Sequence, residues 1–301
     1  MSAVSVDRPA RFSSTVVSRV LGLRRGERYR TSRRRLGQVS KFDLAAVVML
    51  AVITLSALIV PWLAPHHPNV AIGRPYQTPG HGGLLGTDQI GRDMLSRLLF
   101  GFRSSWLAAL AVISIGVVVG CVIGGAAGSL GGWVDSVLMR LTDAFLALPA
   151  AILAIAFVAA RGPSFGHVLQ AIVLVWWPYY ARLVRAEVRA FAARPHIEAA
   201  RLAGAGRWRL AVRHLLPGAL PTVLVAASLD VGAVILTLSG LSYLGLGAPS
   251  PAPELGAMSS QGLPYLLTSW WIPVLPAATV FVLCLIANLA GDGVRDLLEA
   301  E

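Results

Sequence analysis

The chain has 301 residues, 55% of them apolar and only 14% charged, with a mean hydropathy of +0.67 and a formal net charge of +11. Soluble domains carry about 25% charged residues, and a chain of this length cannot hide so much apolar surface in one soluble core. The composition therefore excludes an ordinary soluble enzyme and fixes an all-α, polytopic membrane protein as the expected fold class.

Residues 1–41 hold eleven basic and two acidic residues, with Arg24, Arg25, Arg28, Arg30, Arg33, Arg34 and Arg35 as the densest part. An apolar span follows at once, so the run reads as a cytoplasmic tail facing lipid headgroups rather than as a nucleic-acid arm. It is too long in its charged part for a signal peptide, and no small-residue cleavage site follows. The membrane domain is expected over residues 42–301.

A span needs about 20 apolar residues. Six segments meet that test: Phe42–Leu63, Trp106–Gly128, Val134–Ala159, Val168–Val184, Ala219–Gly247 and Trp270–Ala290. Between the first two lies a segment of about 64–105, which contains Leu85-Gly86-Thr87-Asp88-Gln89-Ile90-Gly91-Arg92-Asp93 and then Ser96-Arg97. Its carboxylates and arginines are expected to form local ion pairs against the bilayer face. Asp88 and Asp93 lack the nucleophile or metal shell that a catalytic pair would need. His66, His67 and His81 share this segment without clustered Cys or carboxylates, and read as solvated loop histidines.

The second span and its exit place Gly116, Gly120, Gly124, Gly128 and Gly132 at a period of four. That spacing makes a groove in which another helix can lie close. The groove is either a packing contact within this subunit or a sliding surface. Asp143 and Asp230 are carboxylates in apolar surroundings and are functional candidates, lining a path or pairing with a partner helix. Cys121 and Cys284 both fall inside apolar segments and read as buried hydrophobes.

Between the fourth and fifth spans, Ala181–Pro217 carries eight arginines and two glutamates, whereas Pro251–Ser269 holds Glu254 as its only charge. The positive-inside rule then sets both termini in the cytoplasm. Within this loop, Glu198-Ala199-Ala200 is followed by Gly204, then nine residues, then His214-Leu215-Leu216-Pro217. Helix formers flank Gly204, so two short helices broken at that glycine are expected. Lys41 is the only lysine and Phe42 follows it. The P-loop sequence G-x-x-x-x-G-K-[ST] therefore cannot be written, and the chain is no P-loop ATPase.

The loop around Glu198, Ala199, Ala200, Gly204, Arg207 and Pro217 resembles the EAA loop of ABC importer permeases. The Gly86, Thr87, Asp88, Gly91, Arg92, Asp93 segment looks like the outer motif of C-type permease subunits of the dipeptide, oligopeptide and nickel family. Leu146-Ala147-Leu148-Pro149, Trp177-Pro178-Tyr179-Tyr180 and Asn288-Leu289-Ala290-Gly291-Asp292 continue the likeness in order from about residue 41 onward. Leu255 departs from it, standing where many relatives have Trp.

The resemblance implies a type I ABC importer permease fold in the cytoplasmic membrane of a bacterium, and no covalent chemistry in this chain. It implies a second homologous permease, ATP-binding subunits that hold ATP and Mg and grip the loop at about 185–217, and an extracytoplasmic solute-binding protein. No cofactor, metal or nucleic acid is implied. Peptides are the expected cargo, with nickel, haem or another small solute as alternatives. A proton-coupled secondary transporter using Asp143 and Asp230 as relay groups is the alternative from another class. An intramembrane hydrolase is a third reading, but no span contains a well-placed histidine for it.

Overall fold

The computed structural model describes residues 41–299, with the side chains of residues 41–47, 207 and 299 excepted. The basic tail read from the sequence lies outside the described residues. The described chain is built of helices: α1 (Lys41–Leu63), α2 (Met94–Leu130), α3 (Gly132–Leu146), α4 (Ala150–Arg161), α5 (Phe165–Ala192), α6 (Pro195–Leu202), α7 (Arg207–Leu210), α8 (Leu216–Tyr243), α9 (Leu255–Gly262) and α10 (Trp271–Glu299). A π-helical turn over Ala211–Leu215 joins α7 to α8. Among the described residues only two isolated bridges, Ala71 to Arg92 and Thr87 to Asp93, resemble sheet.

The longest element, α2, begins earlier than its apolar run. Asp93 caps it by accepting from the Ser96 N–H at 2.9 Å, which satisfies a donor that the first turn leaves free. Residues 94–105, expected in the outer segment, are thus helix, with Ser96 and Arg97 buried. At the other end Gly131 takes φ 66°, and its N–H closes on the Ala127 carbonyl, ending α2 and turning the chain into α3.

The glycine ladder of α2 faces α5. A Cβ on Gly124 would fall on the Ala181 carbonyl oxygen, and one on Gly128 would sit 2.7 Å from Val188 Cγ1. The two backbones lie against each other, so the ladder is a contact within this subunit. Gly132 does not belong to it, standing in the turn at φ 57° with open space around it. Trp106, Tyr180, Val188, Val223 and Leu238 fill the core around this pair, and the Trp106 indole N–H donates to Thr54 Oγ1 at 3.1 Å. On the other flank α8 packs on α10, with Gly232 against Asn288 and Gly291 against the Ser228 carbonyl.

The expected continuous third span is broken. The chain bends by 86° between α3 and α4 at Ala147–Leu148–Pro149. Pro149 has no N–H to continue the ladder, and it disfavours the helical region for Leu148. By length and composition three described helical stretches can cross a membrane: Met94–Leu130, Trp208–Tyr243 and Trp271–Leu298. The bent pair makes up to four, and Val48–Leu63 is a shorter apolar helix. The count of six expected from sequence is not reached on this test. In α5, His167, Gln170 and Arg182 interrupt the apolar run.

Candidate functional site

The coupling element grows out of the end of α5. Arg194 leaves the helix with ψ 143°, and Pro195 opens α6 at its first turn, where the missing N–H costs nothing. The corner is held from two sides: the Arg194 guanidinium lies 3.7 Å over the Phe191 ring, and Gly218 at the start of α8 meets that same ring. Ile197 is fully buried and roots α6 in the bundle.

Around that root the helix is open. Glu198 and Ala199 are exposed and Ala200 is half-buried. Glu198 sits in the first turn, where the helix dipole favours a negative charge. At the far end Gly204 takes φ +84° with nothing near the position of a Cβ. The glycine is required by backbone conformation, since an L side chain is strained there even in open space. The Gly204 and Ala205 N–H groups close on the Arg201 and Ala200 carbonyls. Arg207 opens α7, and its side chain lies outside the described residues. Pro217 is exposed in the first turn of α8. Leu202 and Trp208, which sequence reasoning passed over, are 86% and 81% exposed. A tryptophan in an arginine-rich loop was the available signal.

Above this element, α3 and α5 are bolted together by charge. Asp135 accepts from Arg185 Nε and Nη2, the latter at 2.8 Å, and from Arg189 Nη2 at 2.5 Å. Asp143 pairs with Arg182 at 2.6 Å, both side chains being 56% exposed. Asp230 accepts from the Tyr180 hydroxyl at 2.8 Å. Both candidate pathway carboxylates are therefore already engaged by α5 of their own chain.

At the opposite end the sequence motif folds into a polar cap. Asp88 accepts from the Ile90 and Arg92 N–H groups and from Arg92 Nε at 2.5 Å, with Arg97 Nε 3.5 Å away. Arg97 Nη1 donates to the carbonyls of Pro68 and Pro251. Thr87 donates to the Arg74 carbonyl, and its own carbonyl accepts from the Trp271 indole. Gly86 and Gly91 leave room for the backbone of Gln77–Pro79 and of Gly73. Thr87, Asp88, Arg92, Asp93 and Arg97 are all at most 2% exposed. Their local ion pairing is as expected, and it locks buried loops together. Glu254 caps α9 by accepting from the Gly256 and Ala257 N–H groups at 3.3 and 2.8 Å. Burial pushes its carboxyl up from the usual range, and the two N–H bonds pull it back. No three His, Cys, Asp or Glu residues come together as a metal site among the described residues; His66 instead lies 3.7 Å from Asp93.

Residues 116–300 match the family model described as "binding-protein-dependent transport system inner membrane component". The chain belongs to this family of ABC importer permeases. The permease is 38% identical over 263 residues to the probable D,D-dipeptide transport system permease protein DdpC of Escherichia coli K12, covering 87% of this chain and 88% of that one. It is 39% identical over 269 residues to the di/tripeptide transport system permease protein DppC of Pseudomonas aeruginosa, covering 87% and 89%. The nickel transport system permease protein NikC of E. coli K12 is 38% identical over 256 residues, covering 84% and 92%. Among solved structures, the inward-facing MetNI methionine ABC transporter matches with a TM-score of 0.55 at 18% identity, over 68% of this chain and 97% of that one. That likeness concerns the fold. Members of the family are permease subunits of the bacterial inner membrane and not themselves enzymes.

Proposed function

We propose that this permease forms part of an ATP-driven importer of dipeptides or oligopeptides, and that α6 is the surface its ATPase subunits grip. The observation that carries the reading is the geometry of α6: an eight-residue helix rooted by buried Ile197 and largely open elsewhere, ending on exposed Leu202 with exposed Trp208 just beyond it. Exposed large apolar residues in an arginine-rich loop suit a protein partner. Both termini lie in the cytoplasm, the polar cap and α9 face outward, and the chain crosses the bilayer six times. A second related permease completes the path, and a solute-binding protein delivers cargo to the cap side. ATP and Mg sit on the ATPase subunits, and nucleotide binding shifts the population between inward- and outward-facing states through α6. Peptide cargo is favoured by the dipeptide and di/tripeptide permeases among the relatives.

The test is uptake of a labelled dipeptide by cells expressing the full transporter. Uptake that stops on ATP depletion and survives collapse of the proton gradient supports the reading. Uptake that follows the proton gradient and ignores ATP overturns it.

A further inference from the structure

A cavity of about 520 Å³ lies at the cap end between the first turns of α2, the start of α5 and the loop before α9. Phe100, Leu107, Phe165 and Leu169 give it apolar walls, and two charged side chains, Arg103 and Glu254, complete the lining. Arg92 and Arg97 both pair with Asp88, although Arg92 Nη1 is itself left buried and unpaired. Arg103 lines the cavity, and its buried Nε has no partner among the described residues. A buried guanidinium donor left unsatisfied is costly, and native structures supply it with water, an ion or a ligand. Glu254 does not fill the role, because its two oxygens are turned to backbone N–H groups. Ser242 stands beside the same carboxylate as a third donor, which leaves the carboxylate one acceptor site for a donor in the cavity.

We propose that this cavity is a docking site for a short zwitterionic peptide, with the peptide carboxylate on Arg103, its amino group or amide N–H on Glu254, and its side chains among the apolar walls. The site deepens the peptide-import reading and rests on it. A mostly apolar pocket with a few convergent polar groups is the usual form of a small-molecule site. A carboxylate fits the Arg103 guanidinium, whose unpaired Nε is one of a planar fork of donors. A free divalent cation does not fit, since it would meet one carboxylate beside a positive charge where several oxygens are needed.

The experiment uses the assembled transporter in nanodiscs and a photoreactive dipeptide, p-benzoylphenylalanyl-alanine, with the adducts mapped by mass spectrometry. Labelling is expected within residues 100–111 or 165–169. Arg103→Gln lowers labelling about tenfold or more at sub-saturating probe, as loss of a charged hydrogen bond implies. Amidating the C-terminus of the probe lowers labelling of the unaltered protein by a similar factor and leaves Arg103→Gln little changed. That second arm needs no variant, so a folding defect in Arg103→Gln cannot rescue or sink the proposal alone. Labelling elsewhere, or equal labelling of acid and amide probes, overturns the site while ATP-driven peptide uptake stands. So does a crosslink from Ser104→Cys, carrying a photoreactive maleimide, to the second permease with no peptide adduct, which assigns the cavity to a partner side chain. Absence of any ATP-driven peptide uptake removes both the site and the peptide-import reading.

Discussion

Replacing Gly124 by alanine sets two effects of known size against each other. In a helix interior, alanine is favoured over glycine by about 1 kcal/mol. Here the added Cβ would fall on the Ala181 carbonyl oxygen, with Ala181 C and Val184 Cβ each 3.0 Å away. A carbonyl in the middle of α5 cannot rotate aside, so the two helices must part and lose contact along the ladder. Overpacking of this kind costs about 1–3 kcal/mol, and more where backbone must move. The packing loss outweighs the propensity gain, and Gly124→Ala is expected to lower stability by about 1–2 kcal/mol, or a few degrees in melting temperature. Gly240 in α8 supplies the control: nothing lies within 4 Å of its missing Cβ. Gly240→Ala should be neutral or stabilising by up to about 1 kcal/mol. The assay is thermal unfolding of the purified chain in mild detergent. A Gly124→Ala protein as stable as Gly240→Ala would refute backbone-to-backbone packing of α2 on α5.

Other expectations follow from the same geometry. Gly204→Arg should abolish uptake while leaving the protein in the membrane at normal abundance, because φ +84° at the end of α6 is unfavourable for any L side chain; unimpaired uptake would remove the coupling assignment. Asp135→Ala should destabilise the α3–α5 contact by about 2 kcal/mol, less than a fully buried pair because Arg189 is half in solvent. The Asp135→Ala/Arg185→Ala double variant should recover part of that loss in the same unfolding assay. Glu254 carries a pH signature. Its carboxyl is raised in the folded protein, so its favourable contribution is complete below the ordinary glutamate value of 4.5 and declines as pH rises through the raised folded value. Glu254→Gln, which cannot ionise, should therefore show a deficit against the unaltered protein that shrinks as pH rises above 4.5.

Much of the site was legible in the sequence because it is written in local spacing. The break at Gly204, the short helix before it and the ion pairs among Asp88, Arg92 and Arg97 all follow from residue types a few positions apart. The 86° bend before Pro149 was less visible, since residues 144–158 are apolar on both sides of it and hydropathy alone reads one continuous span. The early start of α2 was hidden by the polar pair Ser96-Arg97, which interrupts the apolar run and whose buried carboxylate and carbonyl partners only the fold shows. The engagement of Asp143 and Asp230 by Arg182 and Tyr180 joins residues 39 and 50 positions apart. No sequence spacing specifies such a pairing. Arg103 carries no signal in the sequence, because an unpaired buried donor is a property of three-dimensional surroundings.

The central claim is that α6 is the surface gripped by an ATPase. Its most direct test places a cysteine at Leu202, the most exposed apolar residue of α6. The full complex, solubilised gently from native membranes, is then treated with a short bifunctional crosslinker and mapped by mass spectrometry. The account predicts an adduct to an ATP-binding subunit, altered in yield by nucleotide and absent from a control cysteine at Leu84 in the polar cap. Capture of the ATPase with no adduct at Leu202, or equal adducts from both ends of the permease, would contradict it.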